Sequence, residues 1–161
     1  MDYFQGVVAD YLNADPSMFV KPECCIQLNP GELIKGEHWY YCDILAVSLR
    51  EPEPAAYLCE VTLSKSLAAL ITRLAEWDAH WPEVRAALAR DNSITAEWPV
   101  RPWAFVPAAQ RALVSQKVSS LFAQEPLPQR MPRPLVTRLE DVVPWLYSSP
   151  HELPGRNESS A

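Results

Sequence analysis

Two apolar runs held apart by a short proline-bearing break constrain this chain more than any other feature. The runs are His38 to Leu49 (HWYYCDILAVSL) and Ala56 to Leu63 (AYLCEVTL), and Glu51-Pro52-Glu53-Pro54 interrupts them. Aromatic and β-branched residues at this density pack well on a pleated surface, so both runs are expected to be strands. Proline ends a ladder, and a connection this short cannot hold a crossover, so the two strands form an antiparallel hairpin.

The flanking segments extend that hairpin into a sheet with helices. Tyr3, Phe4, Val7, Val8, Tyr11 and Leu12 recur at helical spacing, with Asp2 placed to cap and Asp15-Pro16 ending the helix near Ala14. Phe19 to Leu28 is the first strand, closed by the turn Asn29-Pro30-Gly31, and residues 31–37 connect it to the second. A helix carrying Leu67, Leu70, Ile71, Leu74 and Trp77 follows, capped by Ser64 or Ser66. Trp81-Pro82 separates it from a second helical piece, Glu83 to Arg90. Pro99 to Val106 reads as a strand, and Ala108 to Phe122 as a helix opened by Pro107. Beyond Glu125 the proline-dense EPLPQRMPRP is extended, Leu135 to Tyr147 regains helical tendency, and the last residues resemble a disordered tail. The expected architecture is α/β, with an α-β-β-β-α-β core and a mixed central sheet flanked by helices. An irregular proline-rich C-terminal extension completes it. The expected organisation is one domain over 1–124, an arm with a short helix over 125–149, and a tail over 150–161.

A chain of 161 residues, 48% hydrophobic and 21% charged, supports one globular core. It contains no apolar stretch of membrane-spanning length, and its start lacks a basic signal-type region, so the expected location is the cytoplasm with no membrane partner. Cys24, Cys25, Cys42 and Cys59 show no zinc-ligand spacing and are expected to be reduced and buried. The net charge of −6 is unevenly spread. Residues 1–60 hold ten acids against three bases, whereas residues 98–138 hold Arg101, Arg111, Lys117, Arg130, Arg133 and Arg138 against Glu125 alone. A basic stretch over 101–138 could meet phosphate, and a solvated basic face is the plainer alternative.

Two acids sit where strands seldom carry them: Asp43 in the second strand and Glu60 in the third. A lone buried carboxylate is costly, so each needs compensation. By alternation Asp43 shares a face with Tyr41 and Leu45, and Glu60 with Leu58 and Thr62, while Cys42 and Cys59 point together to the opposite face. Adjacent carboxylates repel unless a cation or proton lies between them, which points to Mg²⁺ or Mn²⁺. The alternative is that each acid faces solvent or pairs with an arginine such as Arg73.

An acid in the second strand followed by Glu60-Val61-Thr62 in the third, within α-β-β-β-α-β order, resembles the PD-(D/E)XK nuclease-like (restriction-endonuclease-like) superfamily over roughly residues 1–106. The resemblance implies that Asp43 and Glu60 bind a divalent metal, joined by a first-helix carboxylate for which Asp10 is the candidate. It also implies a lysine that assists water attack on a phosphodiester. Thr62 occupies that lysine's position and cannot supply its charge, so Lys65, at the start of the next helix, is the candidate replacement. Cys42 stands where the family carries proline.

Other chemistries find no support. His38, His80 and His151 lack metal-ligand spacing, the serines lack a nucleophile elbow, and the glycines form no phosphate-cradling loop. Trp77, Trp81, Trp98 and Trp103 are expected in the core rather than stacked on bases. The function expected is divalent-metal-dependent hydrolysis of phosphodiesters in DNA or RNA. The alternative is a catalytically inactive protein of the same fold that binds partners, with the arm Pro126 to Pro134 exchanged between two copies of a homodimer.

Overall fold

A computed structural model describes residues 2–29, 39–50, 52–64, 66–92, 94–122 and 129–142. The expectations placed on Pro30-Gly31, the connection over 31–37, Lys65 and the tail lie outside those residues.

The chain begins with α1 (Tyr3–Asn13), started by a capping box. The Asp2 carboxylate accepts from the Gln5 backbone N–H, and the Gln5 side chain accepts from the Asp2 N–H, both at 2.8 Å. These bonds satisfy donors that the first helical turn otherwise leaves bare. Three strands follow, β1 (Met18–Gln27), β2 (Trp39–Ser48) and β3 (Ala55–Val61), and they form an antiparallel meander. Two consecutive helices, α2 (Ala68–Ala79) and α3 (Trp81–Asn92), carry the chain over to β4 (Val100–Val106), which lies parallel to β3. After α4 (Ala108–Leu121) comes a fifth strand, β5 (Leu135–Arg138), parallel to β4 and followed by a 3₁₀ turn at Leu139–Asp141. The sheet order is β1-β2-β3-β4-β5.

Apolar side chains line both faces of this sheet. On one, Leu70, Leu74, Trp77, Trp81, Val84, Leu88, Val114 and Val118 from α2, α3 and α4 pack onto Ile26, Leu45, Leu58 and Ala104. On the other, Val7, Val8, Tyr11 and Leu12 of α1 join Ile44, Cys59, Phe105, Leu139 and Val142. Burying two faces explains why β2 and β3 read as near-continuous apolar runs. Trp77 and Trp81 are core residues as expected, and Trp98 and Trp103 are partly buried against the two clusters.

Three details correct the sequence reading. Leu135 to Arg138 forms a strand, not a helix, because the open side of β4 offers a ladder to Leu135-Val136-Thr137. Ser64 and Ser66 do not occupy the cap position of α2. That position is Leu67, and each serine hydroxyl instead accepts from the backbone two residues on.

Side-chain alternation also breaks within β1 and β2. Met18 and Val20 pack on the α1 side, yet Cys24 and Ile26 pack on the α2–α3 side. In β2, Tyr40 and Cys42 face α2–α3, Ile44 and Ala46 face α1, and Leu45 returns to α2–α3. Both strands therefore exchange faces at one point, where the ladder runs from Pro22↔Ile44 to Cys24↔Cys42 and skips Glu23 and Asp43. Glu23 has φ 50°, the left-handed conformation that re-aims a strand. Because both strands turn together, the pairing sum survives while the faces swap. Cys42 and Cys59 consequently lie on opposite faces rather than together.

Candidate functional site

Asp43 and Glu60 meet near the end of the β2–β3 hairpin. The pairing Ile44↔Cys59 is the last regular step, and the next residues on each strand are the two acids. One Asp43 carboxylate oxygen, Oδ2, accepts from the Val61 backbone N–H at 2.7 Å, so the side chain continues the ladder beyond the regular pairing. Glu60 is 5% exposed, on the face covered by α2. From that helix Arg73 reaches down, its Nη1 donating to Glu60 Oε2 at 2.6 Å and lying 3.9 Å from Asp43 Oδ1. The pairing of both acids with Arg73, one of the two sequence alternatives, is thus present.

The guanidinium does not fully offset the desolvation. Burial, followed by the nearby Asp43 charge, pushes the Glu60 carboxyl up to about 8 against the pull of Arg73 and of the Asp43 backbone N–H. Asp43 is raised too, chiefly by burial, and the Val61 N–H and Arg73 oppose the shift. Burial thus favours the neutral form of Glu60 even beside Arg73. Glu60 Oε1 is buried and has no hydrogen-bond partner among the described residues. Groups of this kind are rare in native interiors, because an unsatisfied buried oxygen costs roughly 1–3 kcal/mol.

The other candidates lie elsewhere. Asp10 is exposed on α1. The helix approaches Asp43 through its opposite end, where the Asp2 charge raises the Asp43 carboxyl and the Gln5 side chain lowers it by hydrogen bonding. Asp10 lies eight positions after Asp2, roughly 12 Å along the helix axis. Asp2 and Gln5 are the participants that sequence reasoning missed, since Asp2 reads from the sequence only as a helix cap and Gln5 carries no signal. Thr62 lies just past β3, where its N–H donates to Phe105 and its hydroxyl accepts from the Ser64 N–H. Lys65 lies outside the described residues. Among those residues no group of three or more His, Cys, Asp or Glu side chains gathers to hold a metal ion.

Within the basic stretch, Arg130 pairs with Asp78 and Arg138 with Asp141, while Arg101, Arg111, Lys117 and Arg133 are exposed. Part of the arm packs on its own chain. Met131 is fully buried and its N–H donates to Asp78 at 2.9 Å. No described helix is long and apolar enough to cross a membrane.

No protein-family model, curated protein or solved structure matches the chain.

Proposed function

We propose that this chain is a divergent nuclease-like protein whose Asp43 and Glu60 hold a divalent cation, Mg²⁺ or Mn²⁺, for hydrolysis of phosphodiesters in DNA or RNA. The observation that carries the reading is the orphaned Glu60 Oε1, buried beside a second carboxylate. Two hard oxygen donors with one unsatisfied lone pair set suit such an ion. Its arrival would replace the proton that burial imposes on Glu60 and leave two carboxylates charged.

The chemistry such an ion supplies is charge stabilisation at the phosphate and a more acidic water. The chain's own groups do the rest. The Val61 N–H fixes the Asp43 carboxylate, and α1 closes the far side with Gln5. Arg73, 38% exposed at its side chain, stands between the carboxylates and solvent, where its planar fork can turn to a phosphate oxygen. The exposed Arg101, Arg111, Lys117 and Arg133 supply backbone affinity, which salt weakens.

A second reading keeps the fold without catalysis. It is favoured by Arg73, which already brings positive charge to both acids, and by Thr62 in the lysine's place. Cleavage of single- and double-stranded DNA and RNA, with Mn²⁺ and with chelator, separates the two readings. The first expects metal-dependent cleavage reduced at least 100-fold, about 3 kcal/mol of barrier, in Glu60→Gln. No cleavage of any substrate by the wild type leaves the binding module.

A further inference from the structure

Cys24 and Cys42 are direct partners across the β1–β2 ladder. Opposed residues in an antiparallel pair have Cα atoms about 4.5 or 5.5 Å apart, and both spacings lie inside the roughly 4.4–6.8 Å window of disulfides. The face exchange at Glu23 and Asp43 puts both side chains into one cluster, between the sheet and α2–α3. Both side chains are fully buried, and proximity to Cys42 draws the Cys24 thiol down to about 7 against its burial. Cys24 Sγ also lies 3.7 Å from Asn92 Oδ1 of α3. Cys25 points away from this pair and Cys59 packs on the other face.

We propose that Cys24 and Cys42 are a redox-active dithiol that a hydroperoxide closes into a cross-strand disulfide. Cys24, on the edge strand β1, is the attacking thiol. It takes one oxygen from the hydroperoxide, whose O–O bond breaks to release an alcohol (or water, from hydrogen peroxide), and becomes a sulfenic acid. The Cys42 sulfur then displaces that oxygen as water. Two thiols lose two electrons and two protons, and the peroxide is reduced. Both sulfurs are buried, so attack proceeds through local opening. The place for it is built in, because β1 is an edge strand and its ladder is already interrupted at the step beside this pair. The bond would clamp the two strands next to Asp43, yet the proposal stands apart from any nuclease activity.

The test treats the full-length native protein with a few equivalents of hydrogen peroxide. Remaining thiols are then blocked, and the peptides are mapped without reductant. The expected result is one intramolecular link between Cys24 and Cys42, lighter by two hydrogens and reversed by dithiothreitol. The link should persist in Cys25→Ala, and it should vanish in Cys24→Ala and Cys42→Ala. The wild-type map and the Cys25→Ala variant decide the matter even where the other two variants fold poorly. Thiols unchanged under native conditions, Cys24 driven to sulfinic acid without a link, or a link through Cys25, Cys59 or a second chain would each overturn the proposal.

Discussion

Glu60 carries a carboxyl that costs more to bury than its partners return. The ordinary glutamate value is near 4.5 and Glu60 sits near 8 in the folded protein. Between those values the folded state holds a proton that the unfolded chain has released, so stability falls as pH rises through the window. The loss is complete above about pH 8. Glu60→Gln carries no such proton and escapes the loss. Its melting temperature should match the wild type near pH 5 and exceed it near pH 9. The gap should be equivalent to a few kcal/mol at most, since each tenfold change in an acid constant is worth about 1.4 kcal/mol. Thermal unfolding of the two proteins across that range checks this, and parallel curves would refute the burial assignment. The two acids were legible in the sequence because carboxylates are conspicuous inside apolar strands. Arg73 was legible only as one possible partner, and Gln5 not at all, since its recruitment depends on how α1 lies across the sheet.

The elements were mostly readable from pattern. The strands β2 and β3 announce themselves by unbroken apolar runs, and α2 and α3 by helical periodicity with Pro82 in the first turn of α3. Two features were hidden. The four residues of β5 follow a proline-rich segment, and their β-branched Val136 and Thr137 become a strand by pairing with the β4 ladder. The face exchange was invisible for a different reason: apolar residues fill both sides of the sheet, so a phase change in the alternation leaves no mark in the hydropathy. Its one local sign is the left-handed backbone at Glu23. That conformation suits glycine, so Glu23→Gly should be neutral or stabilising by up to about 1 kcal/mol, while Glu23→Val should cost about 1–3 kcal/mol. Urea denaturation measures both. A neutral valine variant would mean that the bend at Glu23 does not constrain the strand.

The described residues form a five-stranded sheet with helices on both faces, and its β2–β3 hairpin carries two neighbouring carboxylates beneath Arg73. The element order expected from the sequence is present through α4, with α2 and α3 together forming the crossover, and β5 extends it. The proline-rich segment is less detached than its composition implies, because Asp78 holds Arg130 and the Met131 N–H, and Met131 fills a place in the core of its own chain. The proposed nuclease function requires that Asp43 and Glu60 act as one cation site. Calorimetric titration of Mn²⁺ into the wild type, Asp43→Asn and Glu60→Gln tests this without choosing a substrate. One-site binding in the wild type, accompanied by proton release near pH 7 and weakened at least tenfold, about 1.4 kcal/mol, in either variant, is the predicted result. Absence of Mn²⁺ binding to the wild type, with or without nucleic acid, or binding unchanged in both variants, would contradict it.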